Sequence, residues 1–232
     1  MGGPQVALPI GAPVAPGAAA VPGADTTLHG SHVVLRAVDP PADAPSLFET
    51  TSDAATWTYL AYGPFATAGE LEAMLAGAGA EEGRLALTIL GGDARALGTA
   101  SYIRIVPEHR VIEIGHIVLG ATLRRTPAAT EAIYLLARHA FDDLGYRRLE
   151  WKCDALNAAS RTAAQRYGFR FEGVFREHMI VKGRNRDTAW FAILEEEWPP
   201  LRGAFEAWLD GANFDADGGQ RRALGEMIAE RR

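Results

Sequence analysis

Two groups of residues in one stretch of the chain have the types and spacing to do chemistry. Glu113 and His116 lie in an apolar run, Val111–Leu119 (VIEIGHIVL), and Arg124, Arg125, Thr126 and Pro127 follow it. A carboxylate held among apolar strand residues has its ionisation pushed toward neutral pH by desolvation, which makes Glu113 a candidate proton acceptor. In a regular strand, His116, three positions on, points to the opposite face. A bulge at Gly115 would change that, so His116 stands as a second candidate base, with a core histidine as the alternative. The arginines precede the expected start of a helix, where unpaired backbone N–H groups and the helix dipole favour an anion. Small residues there (Ala128, Ala129, Thr130) let an anion approach the backbone, and guanidinium forks match phosphate oxygens. The alternative is an ordinary capped helix with surface arginines.

The elements that must position these groups are legible around them. Val111–Leu119 reads as a strand. Ile133, Leu136, Ala137, Ala140, Phe141 and Leu144 recur at helical spacing and form one apolar stripe. Thr126 is an N-cap, Pro127 suits the first helical position, and Gly145 closes the helix. Upstream, His32–Val38 reads as a strand, Pro40–Thr51 as a short helix, Trp57–Phe65 (WTYLAYGPF) as an aromatic loop, and Glu70–Ala80 as a helix. Arg84–Leu90 and Leu97–Val106 are strands joined across Gly91–Ala94. Downstream come a strand at Arg147–Asp154 and a helix from Asn157 to Tyr167, ended by Gly168. A hairpin of Phe169–Val181 and Asp187–Leu194 turns at 182–185. Helices are expected at Trp198–Asp210 and Gly219–Arg232. The order predicts an α+β fold with a mixed, mostly antiparallel sheet and one parallel crossover, at the long helix.

Composition narrows the function classes. With 48% hydrophobic and 22% charged residues the chain is of ordinary globular composition. A formal net charge of -6 argues against nucleic acid as a partner. No apolar run reaches the length of a membrane span, and the single cysteine, Cys153, points to a reducing, cytoplasmic setting and a buried, inert thiol. No GxxxxGK[ST] motif and no strand-linked GxGxxG is present, which argues against a P-loop NTPase or a Rossmann dinucleotide binder.

EIGHIVL followed by LRRTPAATEA, the segment CDALNAASRTAAQRYGFRFEG and the hairpin GRNRDTAWFAIL together resemble one family. It is the Gcn5-related N-acetyltransferases (GNAT), and within them the branch that acetylates ribosomal-protein N-termini (RimJ/RimL-like). The resemblance covers residues 28–195. It leaves an Ala/Pro/Gly-rich arm at 1–27 and a C-terminal helical extension at 196–232, the latter expected as either a homodimer interface or a cap.

The resemblance implies a GNAT sheet with splayed central strands, acetyl-CoA as acetyl donor, no metal, and direct transfer to a primary amine. The acceptor class is a peptide N-terminus or a small-molecule amine. Ile117, Val118 and Leu119, with His116 before them, match the strand along which the pantetheine arm lies. Arg124, Arg125, Thr126, Ala128, Ala129 and Thr130 match the pyrophosphate turn, with Pro127 replacing the usual glycine. Glu113 matches a glutamate of the family, its alternative being an outward-facing strand residue. Many members carry a tyrosine seven positions after the helix-capping asparagine, where this chain has Ala164. Ser160 is the implied donor of a proton or a hydrogen bond to the departing thiolate, its alternative being a capping or solvent-facing serine, and Asn157 is an implied pantetheine contact as well as the helix cap. Trp57, Tyr59 and Tyr62 are expected in the acceptor pocket wall or, alternatively, packed under the core. The rival reading is a non-catalytic acyl-CoA-binding or regulatory module of the same fold.

Overall fold

The computed structural model describes residues 8–231; the first seven residues of the expected arm, and Arg232, lie outside them. Eight strands make one sheet in the order β1-β2-β3-β4-β5-β6-β8-β7. They are β1 (Thr27–His29), β2 (Val34–Ala37), β3 (Leu85–Leu90), β4 (Ala96–Val106), β5 (Val111–Leu119), β6 (Arg148–Asp154), β7 (Arg170–Val181) and β8 (Arg184–Leu194). Every pairing is antiparallel except β5 with β6, whose crossover runs through α3 (Pro127–Arg138). α1 (Pro40–Thr50) and α2 (Ala68–Ala80) precede β3, α4 (Ala158–Arg166) follows β6, and α5 (Trp198–Leu209) and α6 (Leu224–Ala229) end the chain.

Strand alternation divides the side chains between two cores. Leu35, Leu87, Ile89, Tyr102, Ile112, Ile114, Leu149 and Trp151 face α3, α4 and α5 in the larger one. The residues between them turn to the other face, where α1 and α2 bury Leu47, Trp57, Leu71, Leu75 and Val118 in the smaller one. Asp43 of α1 is buried there, accepting from both guanidinium nitrogens of Arg36 and from the Thr88 hydroxyl. That pairing compensates a carboxylate which would otherwise be costly inside the fold.

α3 begins as the sequence indicates. Pro127 is at its first position and Thr126 Oγ1 accepts from the Ala129 N–H at 3.2 Å. Its last turn widens into a π turn over His139–Asp143 before Gly145 (φ +74°) reverses the chain. Glu131 of α3 accepts three backbone N–H groups, from Ser31, His32 and Val33, at 2.6–2.9 Å, and so ties the β1–β2 turn to the helix. Gly30 is required there, since a Cβ would lie 2.4 Å from that carboxylate.

Three expectations change. β1 had no periodic signal because it is only three residues long. The second hairpin turns on Lys182 and Gly183 alone, both at positive φ as a type I′ turn requires, so β8 starts at Arg184 rather than Asp187. Its polar first residues sit on an exposed hairpin, where no apolar alternation marks a strand. The last helix begins at Leu224, not Gly219, because the Asn213 side chain bonds Trp208 and Arg222 and holds the preceding segment in turns. The tail is packed within the chain: Trp198 stacks on Tyr134 and Phe141 of the α3 segment, and Phe205 lies on Tyr134 and Tyr167. The arm is tied down by Ala19 N–H to Pro107 O and Ala20 N–H to Leu144 O.

Candidate active site

β5 and β6 pair only at Val111–Arg148, Ile112–Leu149 and Glu113–Glu150; beyond that rung they part. On its other edge β5 stays paired with β4, but Thr99 faces Val118 while Ser101 faces Gly115, so β5 carries an extra residue. The bulge centres on His116, which is in the left-handed region at φ +51°, one residue later than the Gly115 position expected. It shifts the strand's alternation, sending Ile117 toward the larger core and Val118 into the smaller one. His116 therefore turns to Glu113's face, which a regular strand would not allow.

His116 Nδ1 lies 3.1 Å from the Tyr62 hydroxyl, and the two rings stack at 5.7 Å. Burial, and after it the Arg84 charge, lowers the His116 pKa to about 4, so the imidazole is neutral near pH 7. Burial also raises the Tyr62 phenol above its ordinary value. Trp57 is a correction: it is 3% exposed, donates its indole N–H to Thr51 O, and is core rather than pocket wall. Tyr59 donates to Leu156 O in the β6–α4 turn. With Lys182 Nζ on Trp57 O and Arg124 on Thr56, the 54–65 segment is tethered to three separate parts of the fold around the split.

Glu113 is buried at the rung where β5 and β6 separate. Its Oε2 is 2.7 Å from Lys152 Nζ and 3.7 Å from Arg104 Nε. Lys152 thus forms a close ion pair with that oxygen across the two strands. Burial raises the carboxyl's pKa, and Lys152 is the main influence opposing it. Glu150, also buried, accepts from Arg104 and Arg148. Arg104, Arg148, Glu150 and Lys152 line a cavity of about 450 Å³ together with Trp190, Phe175 and His178, beside the buried Glu113. Lys152, Glu150 and Arg104 escaped the sequence reading. For Glu150 and Lys152 the one signal is polar residues at alternate positions of the RRLEWKCD strand; Arg104, a single charge in β4, carries none.

The anion corner is open in part. No hydrogen bond among the described residues uses the N–H groups of Arg125, Thr126 or Ala128. The Ala129 N–H is taken by the Thr126 cap and the Thr130 N–H by Thr126 O, while the Thr130 hydroxyl accepts from Arg166. Arg124 folds back onto Leu119 O and Thr56; Arg125 is exposed. Asn157 caps α4 through its bond from Ser160 N–H. The Ser160 hydroxyl accepts from the Trp151 indole at 3.0 Å, on the α4 side of β6 and so across the sheet from Glu113. Cys153 is buried, and that burial raises its thiol pKa, as an inert thiol requires.

The family model for an acetyltransferase (GNAT) domain matches residues 32–170. A GCN5-related N-acetyltransferase from Brucella melitensis has a similar structure, with a TM-score of 0.89 and 41% identity over 92% of this chain and 98% of that one. Among curated proteins, the uncharacterized N-acetyltransferase p20 of Bacillus licheniformis is 26% identical over 74% of this chain and 98% of its own length. The putative ribosomal N-acetyltransferase YdaF of Bacillus subtilis is 27% identical over 46% of this chain and 57% of its own. With the strand split, the bulge beside it and a family match over most of the sheet, the chain belongs to the GNAT acetyltransferases.

Proposed function

We propose that the protein uses acetyl-CoA as donor and transfers the acetyl group directly to a primary amine. The observation that carries this is the parting of β5 from β6 immediately after the rung that holds buried Glu113. An extended pantetheine arm matches such a split as an added strand, along the free edge of Ile117–Leu119. The diphosphate would take the open N–H groups of Arg125, Thr126 and Ala128 and the charge of Arg125. Pro127 supplies no donor, so this cradle is smaller than the family's glycine-bearing turn.

The acceptor amine must be neutral to attack the thioester carbonyl. Reference pKa values of about 8 for an α-amine and 10.4 for a lysine make proton removal part of the reaction near pH 7. Glu113 takes that proton directly or through water as the N–C bond forms. The C–S bond then breaks with its electron pair leaving on sulfur as the CoA thiolate, and the Ser160 hydroxyl, reaching the split from the α4 side, donates a hydrogen bond to that sulfur. His116, neutral and paired with Tyr62, serves as an acceptor of hydrogen bonds beside the split. Tyr59 and Tyr62 border the acceptor. The resemblance to YdaF brings peptide N-termini into consideration alongside small amines.

The test is CoA release measured with a panel of peptide α-amines, polyamines and amino sugars, alongside acetyl-CoA binding by calorimetry. Turnover on one class, abolished in Glu113→Gln without loss of acetyl-CoA binding, is the expected result. Pro127 and the Ala164 position favour a second reading, a non-catalytic acyl-CoA-binding module; tight binding with no turnover on any amine would select it.

A further inference from the structure

The contact between Glu113 and Lys152 spans the fork of the split. The two residues stand on adjacent strands, Lys152 two positions beyond the last β5–β6 rung. The Lys152 side chain is 14% exposed. Its ammonium is held from two sides, 2.7 Å from Glu113 Oε2 and 4.5 Å from the centre of the Trp190 ring. A cation on an indole face is attracted by the ring's quadrupole, and more strongly when desolvated. Trp190 is in turn braced by Phe175, 4.7 Å away centre to centre.

We propose that Lys152 is a positioning residue for Glu113: clamped between the carboxylate and Trp190, its ammonium keeps Glu113 ionised and aimed at the fork. This rests on the reading of Glu113 as base. Other charged or titratable groups face the carboxylate or its immediate neighbours. Arg104 of β4 is 3.7 Å from Oε2, and Glu150 of β6 repels it. Arg148 of β6 is spent on Glu150 and on Glu172 of β7. His178 of β7 is engaged with Thr188. Arg104 is divided between Glu150 at 3.2 Å and Glu113, is half exposed, and lies 5.4 Å from the Trp190 ring. Lys152 is thus the one close, largely buried cation whose only ion-pair partner among the described residues is Glu113. Buried and without it, the carboxylate would hold its proton to higher pH and be unable to receive another from the amine.

The experiment reads Glu113 directly. Its carboxyl ¹³C resonance is titrated in the full chain for the wild type, Lys152→Met, Lys152→Gln and Lys152→Arg, with Glu113→Gln used to assign the signal. Both neutral variants are expected to move the midpoint up by about one pH unit or more, and the arginine variant to return it toward the wild type. Where an amine substrate is in hand, the acid limb of kcat/KM moves by the same amount while KM for acetyl-CoA does not change. An unchanged midpoint in folded Lys152→Met and Lys152→Gln overturns the proposal. A moved midpoint in a protein that acetylates no amine upholds the Lys152–Glu113 pairing and overturns the transferase reading instead.

Discussion

Two titratable side chains on β5 are tuned by their surroundings in opposite chemical senses: Glu113 toward proton acceptance near neutral pH, His116 away from it and toward a permanently neutral imidazole. Burial raises the Glu113 carboxyl, bringing it closer to the pH at which it works, while Lys152 opposes a complete loss of charge. Glu113→Gln is expected to lower kcat by about 10²- to 10⁴-fold, the usual range for a lost general base, with KM for acetyl-CoA unchanged in steady-state kinetics. Burial lowers the His116 pKa to about 4 from an ordinary value of 6.5. The unfolded chain therefore takes up this proton before the folded one does. Stability contributed by neutral His116 is complete above pH 6.5 and is lost as the pH falls toward 4. His116→Gln should flatten that part of the stability–pH curve, by on the order of 1–3 kcal/mol between the two limits, in urea melts across the range.

At the level of elements, the site depends on where α3 starts and on what holds that start in place. The Thr126 hydroxyl both caps the helix and donates to Leu123 O. Thr126→Ala is expected to cost about 1 kcal/mol in chemical unfolding and to weaken acetyl-CoA binding, because the open N–H groups lose their fixed direction. One turn further on, the Glu131 carboxylate accepts from three backbone N–H groups of the β1–β2 turn. Glu131→Gln places an amide donor among those donors. A loss of about 1–3 kcal/mol in the denaturation midpoint is expected, with no change in the pH dependence of turnover.

For the molecule as a whole, the C-terminal helices complete the larger core. Trp198 is 3% exposed, stacks on Phe141 and Tyr134, and donates its indole N–H to Asp142. Trp198→Ala leaves a cavity behind α3 and an acceptor without its donor. It should destabilise the protein by about 3–5 kcal/mol by differential unfolding while leaving KM for acetyl-CoA near the wild-type value in the protein that remains folded. A second cavity, of about 620 Å³, lies between the arm and residues 108–111 and 147–148, at the end of β5 and β6 where the two strands remain paired. The arm and the split thus occupy opposite ends of those strands.

Local periodicity and punctuation determined most of the elements: the α3 stripe, its Thr126 and Pro127 start, the Gly145 and Gly168 stops, and the strand carrying Glu113 are all statements about near neighbours in the chain. The resemblance carried by three segments supplied the family and the parting of the strands. The partnerships of the site were decided only by tertiary structure, because each joins residues far apart in sequence. Lys152 meets Glu113 across a strand pair, and Tyr62 reaches His116 from the 54–65 segment. The bulge at His116 is of the same kind. A one-residue excess against β4 shows only once the register is set, and that register is what turns a histidine three residues from Glu113 onto Glu113's own face.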